Sequence, residues 1–120
     1  MRPAIALKRV YEPASSEDGI RILVDRLWPR GISREKARID LWLKDIAPSN
    51  ELRRRFHGDP DAWQAFRMAY FAELAREPAS QAAQTLLAHL GRGPVTLLFA
   101  ARDEVHNNAV ALREWLEARS

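Results

Sequence analysis

Val95-Thr96-Leu97-Leu98-Phe99 decides the fold, because it is an almost unbroken apolar run of strand length. A strand covered on one face alternates apolar with polar residues, whereas a continuous run belongs to a strand buried on both faces at a sheet centre. Upstream, Ala83, Leu86, Leu87 and Leu90 recur at helical spacing, with Ser80 expected as the cap and Gly91 and Gly93 closing the C-terminal end. Before that, Asp59 and Pro60 mark a helix start running to about Arg76, where Pro78 stops it. Its Trp63, Phe66, Tyr70 and Leu74 share one face and read as core rather than as a stacking platform. Downstream, a tight Ala100 to Asp103 turn leads to a last helix carrying Val105, Ala109, Leu112 and Leu116 on its buried stripe.

The N-terminal half supplies the other strands. Ile5 to Val10 reads as a strand, Glu12 to Gly19 as a loop ending in an Asp-Gly turn, and Ile20 to Asp25 as a second strand. The connection is too short for a parallel crossover, so these two strands, if adjacent, are expected to pair antiparallel. Two or three helices separate the second strand from Val95, which places those two strands parallel. Ser33 caps a short helix through Lys36 or Arg38, and Ser49 another through Leu52 to Phe56. Ile39 to Ile46 fits a strand or a helical turn equally well. The expected architecture is α/β, with a small central mixed sheet of three to four strands covered by helices.

With 120 residues the chain has the length of one domain, spanning 1–120, and can bury a core without disulfides or a structural metal. Its 47% hydrophobic and 29% charged residues are those of a globular protein. The formal charge of +3 is spread along the chain, with Arg53-Arg54-Arg55 as the only basic run, so nucleic acid ranks last among partners. The absence of cysteine removes thiolate nucleophiles and thiolate metal sites. Met1-Arg2-Pro3-Ala4 leads straight into the first strand without a signal-peptide pattern, and no apolar stretch reaches membrane-spanning length. A cytoplasmic location without membrane contact is expected, and the oligomeric state is left open.

Parallel strands ending at Asp25 and Phe99 put two charged segments on one sheet edge. One carries Asp25, Arg26, Trp28 and Arg30; the other carries Arg102, Asp103, His106 and Asn107. Ligands of open α/β sheets bind outside the carboxyl ends of the strands. Arginines there suit a phosphate or carboxylate, and the turn into the last helix offers N–H donors. Asp103 or His106 is the candidate acid or base, with Asp25 able to orient the histidine. The alternative reading is a purely structural network, in which Asp103 caps the last helix and Arg102 pairs with Asp25. His57, Asp59 and Asp61 form a weak metal triplet, since Asp59 is explained as a cap and Asp61 by the helix dipole. No metal and no cofactor are expected.

Asp18-Gly19-Ile20-Arg21-Ile22-Leu23-Val24-Asp25-Arg26-Leu27-Trp28-Pro29-Arg30-Gly31, Asp40-Leu41-Trp42-Leu43-Lys44 with Ala47-Pro48-Ser49, and Leu97-Leu98-Phe99-Ala100-Ala101-Arg102-Asp103 with His106-Asn107 resemble the YeaO-like family of small bacterial proteins, a domain of unknown function. The resemblance covers nearly the whole chain and implies a fold and a site, with no established activity. It adds Trp42 and Lys44 to the ligand-binding candidates Asp25, Arg26, Trp28, Arg30, Arg102 and Asn107. More distant relatives carry a cysteine where Phe99 stands and a Cys-His-Arg run at Asn107-Asn108-Ala109, so no thiol or metal role carries over. Two functions are expected from this: a small enzyme acting on an anionic metabolite, or a non-catalytic module that senses such a ligand or assists at nucleic acid.

Overall fold

The computed structural model describes residues 5–56 and 59–119. β4 (Val95–Phe99) is buried along its whole length, between β1 (Ile5–Arg9) and β2 (Ile20–Leu23); β3 (Leu41–Trp42) lies outside β2. The centre of the sheet is therefore the apolar run that periodicity placed there. Val95 faces both Ile5 and Ile20, and Leu97 faces both Leu7 and Ile22. Around the sheet lie α1 (Arg34–Ala37), α2 (Asn50–Phe56), α3 (Trp63–Leu74), α4 (Ala79–Leu90) and α5 (Asn108–Glu117). The α/β architecture is the one expected.

The sheet is parallel throughout rather than mixed. β1 and β2 are not neighbours, because β4 lies between them, and the short connection between them does cross over. An extended chain advances about 3.3 Å per residue, so residues 10–19 can return along a strand of roughly 17 Å and pass one intervening strand. What the connection lacks in helix it replaces with a buried polar clasp. Asp18 accepts from Arg21 at 2.7 Å and from Lys8 at 2.9 Å, and its backbone carbonyl accepts from Thr96 Oγ1 at 2.9 Å. Arg21, 2% exposed, also donates to the carbonyls of Ala37 and Arg38. Burial pushes the Asp18 carboxyl up, but Lys8, the Ser15 N–H and Arg21 outweigh it and bring it down to about 2. Gly19 completes the return: its φ is +64°, and a Cβ there would stand 2.1 Å from the Pro94 carbonyl oxygen.

The two sheet faces differ as strand alternation requires. Ile22, Val24, Val95, Leu97 and Phe99 pack under α2 to α5 against Leu52, Tyr70, Leu74, Leu86 and Leu112. On the other face Val10, Leu23 and Leu98 meet Ala37 and Ile39 beside the polar clasp.

Local start signals hold in part. Ser33 accepts from the Lys36 N–H, Ser49 from the Leu52 N–H, and Asp59 caps a 3-10 turn at Pro60–Ala62 that leads into α3. Ile39 to Ile46 divides between the two readings, into β3 and a 3-10 turn at Lys44–Ile46. Ser80 is not a cap, since α4 has already begun at Ala79 and the Ser80 N–H donates to the Arg76 carbonyl. α5 begins at Asn108, so Val105 lies outside it and is 66% exposed. Asp103 explains this displacement. Its Oδ1 takes the N–H groups of Val105 and His106, a local turn that competes with helix, and the helix starts only where Asn107 accepts from Val110.

Candidate functional site

Because all strands are parallel, the segments leaving them gather on one edge. Tyr11 follows β1; Asp25 to Arg30 follow β2; Ala47 and Pro48 follow β3; Ala100, Ala101 and His106 to Asn108 follow β4. With Arg53 and Phe56 of α2 and Phe66 of α3 they enclose an open crevice of about 600 Å³. A second hollow of about 330 Å³ opens from the same side, lined by Asp59, Ala62, Trp63 and Asp103 together with Phe56, Phe66, His106 and Asn107. The last four belong to both.

Asp25 is the hub of the crevice. Its Oδ2 accepts from the Ala100 N–H at 2.9 Å and its Oδ1 from Asn108 Nδ2 at 3.1 Å, so one carboxylate ties the end of β2 to the end of β4 and the start of α5. Burial raises its pKa, with the Ala100 N–H, the Asn108 amide and the Arg53 charge opposing. Among the described residues Asp25 is the only carboxylate lining the larger crevice. Arg26 lies half-buried and donates to the carbonyls of Ala47 and Pro48. Arg30 is exposed, in a loop held by Trp28 Nε1 on the Ile32 carbonyl and by Tyr11 Oη on the Arg30 carbonyl. Arg53 donates to Asn50 Oδ1 at 3.4 Å, and its charge acts on Asp25. None of the three guanidiniums forms an ion pair among the described residues.

Asp25, Arg26, Trp28, Arg30, His106 and Asn107 are thus brought together. Asp103 borders only the smaller hollow. Trp42, Lys44 and Arg102 line neither: Trp42 donates Nε1 to the Asp25 carbonyl and packs edge-on against Trp28, Lys44 sits 5.7 Å from the Trp42 ring centre, and Arg102 is exposed. Neither structural pairing offered for this edge forms. Asp25 is met by Ala100 and Asn108 rather than Arg102, and α5 is capped by Asn107 rather than Asp103. Nor does Asp25 orient the histidine; Asp103 does, its Oδ2 lying 3.3 Å from His106 Nδ1. The N–H groups of His106 and Val105, with the His106 ring, hold the Asp103 carboxyl below its usual range.

Several lining residues carry no motif signal. Arg53 was legible only as part of a solvated basic run, and Asn108 not at all. Trp63 and Phe66 do share the buried face of α3, yet both are only half-buried. Their rings stack at 5.7 Å, and Trp63 meets His106 edge-on at 5.2 Å, forming a wall of the smaller hollow. His57 of the metal triplet lies outside the described residues, and no group of three potential metal ligands occurs among those described. No described helix is long and apolar enough to cross a membrane.

A four-stranded parallel sheet covered by helices, with an arginine-bordered crevice at its carboxyl edge, defines an α/β protein. The chain belongs to the DUF488 family: residues 4–120 match the model described as "Inactive DUF488-N3 subclade". It is 46% identical over 114 residues to the uncharacterized protein YeaO of Escherichia coli (strain K12), covering 95% of this chain and 97% of that protein. It is 37% identical over 115 residues to uncharacterized proteins of Mycobacterium bovis and Mycobacterium tuberculosis, covering 96% of this chain and 95% of theirs. No solved structure matches.

Proposed function

We propose that this protein binds a small phosphate- or carboxylate-bearing ligand in the carboxyl-edge crevice and does not turn it over. The observation that carries the reading is the charge arrangement: Arg26, Arg30 and Arg53 border a crevice whose one carboxylate has both oxygens engaged by Ala100 and Asn108. Guanidiniums with no ion-pair partner among the described residues are suited to anions, because each offers several N–H donors and a positive charge. Among the described residues the crevice lining contains no serine, threonine, lysine or cysteine, and the description of the matching family model as inactive agrees with binding alone. The Asp103 and His106 pair favours a second reading, in which His106 is a general base for an anionic substrate, with Nε2 as the proton acceptor.

Thermal-shift measurements with inorganic phosphate, ribose 5-phosphate and citrate test both readings. A ligand at ten times its Kd stabilises by about 1.4 kcal/mol, roughly 4–8 °C for a chain of this length. We expect such a shift with ribose 5-phosphate, smaller by half or more in Arg30→Ala and Arg53→Ala, and an unchanged ligand by phosphorus NMR after prolonged incubation. No shift with any anion, or equal shifts in the variants, removes the crevice reading. Turnover that is lost in His106→Ala replaces binding with catalysis.

A further inference from the structure

We infer that the ligand is a nucleoside 5′-monophosphate, with its phosphate among the arginines and its base in the smaller hollow against Trp63 and His106. This rests on the anion-binding reading above and assigns a role to the second cavity. The two hollows adjoin, since Phe56, Phe66, His106 and Asn107 line both, and we take them as one trough. The ends of this trough are chemically opposite. At one end stand Arg26, Arg30 and Arg53, three guanidiniums against the one carboxylate of Asp25, whose oxygens accept from Ala100 and Asn108. At the other stand the carboxylates Asp59 and Asp103 with the rings of Trp63, Phe66 and His106.

Such polarity fixes both the kind of ligand and its direction. A phosphate is attracted to the guanidiniums and repelled by Asp59 and Asp103, so the anionic group lies at the arginine end. What occupies the other end is uncharged, planar and able to donate hydrogen bonds. Trp63 and Phe66 lie nearly parallel, 20° apart, and the His106 ring stands at 70° to Trp63, giving the hollow flat aromatic walls. Planar heterocycles gain by stacking on such faces. The carboxylates offer acceptors for amino and imino groups. Asp103 Oδ1 takes the N–H groups of Val105 and His106 and its Oδ2 lies 3.3 Å from His106 Nδ1. Asp59 Oδ1 takes the Asp61 N–H, whereas its Oδ2 has no hydrogen-bond donor among the described residues, so Asp59 is the chief acceptor. A ribose bridges a phosphate and a base in the way Phe56, Phe66 and Asn107 bridge the two hollows.

Calorimetric titration of the full chain with AMP, GMP, CMP, ribose 5-phosphate and inorganic phosphate tests this. At least one nucleotide is expected to bind about tenfold or more tighter than ribose 5-phosphate, in line with the usual gain from stacking one base on an aromatic side chain. Trp63→Ala should erase that difference while leaving ribose 5-phosphate affinity within about twofold. His106→Ala, at an exposed position where folding is not at stake, should reduce it at least threefold. Arg53→Ala should weaken all phosphates by a similar factor and leave the nucleotide-to-ribose-phosphate ratio unchanged. Ribose 5-phosphate binding as tightly as every nucleotide overturns the inference while leaving the anion site standing, as does an equal loss for both ligands in Trp63→Ala. Failure of every phosphate to bind removes the anion site itself.

Discussion

Replacing Asp25 with alanine separates the scaffold of the site from its ligand chemistry. The carboxylate accepts two hydrogen bonds, from the Ala100 N–H at 2.9 Å and Asn108 Nδ2 at 3.1 Å, and so joins three segments of the crevice wall. Hydrogen bonds to a charged group contribute about 1.5–3 kcal/mol each, and the half-buried position of Asp25 argues for the lower value. Two such bonds come to about 3 kcal/mol. Part of this is offset because burial disfavours the charged form, which is why the pKa is raised, leaving a net loss of about 2 kcal/mol for Asp25→Ala. Urea unfolding at neutral pH measures it directly. Asp25→Asn keeps an acceptor for Ala100 and should lose about half as much. The pH dependence has a defined sign. A raised folded-state pKa means that the contribution from titration is complete below the ordinary aspartate value of 3.8 and is lost as the pH rises through the folded value. The stability advantage of the parent over Asp25→Asn should therefore be larger near pH 4 than near pH 7. A loss under about 0.5 kcal/mol in Asp25→Ala, the size of an ordinary surface substitution, would refute the role of Asp25 in joining these segments.

Asp18→Asn acts in the opposite pH direction. A carboxyl lowered from 3.8 to about 2 contributes roughly 2 kcal/mol at neutral pH, lost as the pH falls from about 4 to 2, so the parent and variant should converge in acid unfolding curves. Gly19→Ala should destabilise by about 2 kcal/mol or more, since it adds left-handed strain to a clash with the Pro94 carbonyl; Gly31→Ala, with φ +72° but open space around it, should lose only about 1 kcal/mol. Asn107→Ala removes the α5 cap and should lower stability by about 1 kcal/mol in the same assay, whereas Asn107→Asp should restore most of it.

The legible parts of the fold were those written in local pattern. Val95 to Phe99 announced a central strand because no one-sided strand tolerates that run, and Ser33, Ser49 and Asp59 announced helix starts through hydroxyl or carboxylate groups at the right spacing. The insertion of β4 between β1 and β2 was not legible, since it is decided by contacts between residues far apart in the chain, such as Thr96 with Asp18. Val105 fits the period of α5 but belongs to a turn, because the Asp103 side chain satisfies the N–H groups that helix would otherwise use.

The same division runs through the candidate site. The β2 exit and the β4 exit were recognisable as two charged segments on one edge once the crossover was read as parallel. Arg53 gave no sign, because one arginine of a basic run faces the crevice for reasons set by the packing of α2. Trp63 and Phe66 looked like core because helical periodicity marks a face and not how much of it a neighbour covers. Trp42 and Lys44 belong to the motif resemblance, yet they shape the ground beneath Asp25 and Trp28 and leave the crevice to others.

Calorimetric titration of inorganic phosphate into the parent and the Arg30→Ala, Arg53→Ala double variant, at low and at physiological ionic strength, tests the central claim most directly. The account predicts saturable binding to the parent that weakens with salt, as expected for partly exposed charges, and at least a hundredfold loss in the double variant. Indistinguishable isotherms for the parent and the folded double variant would contradict it.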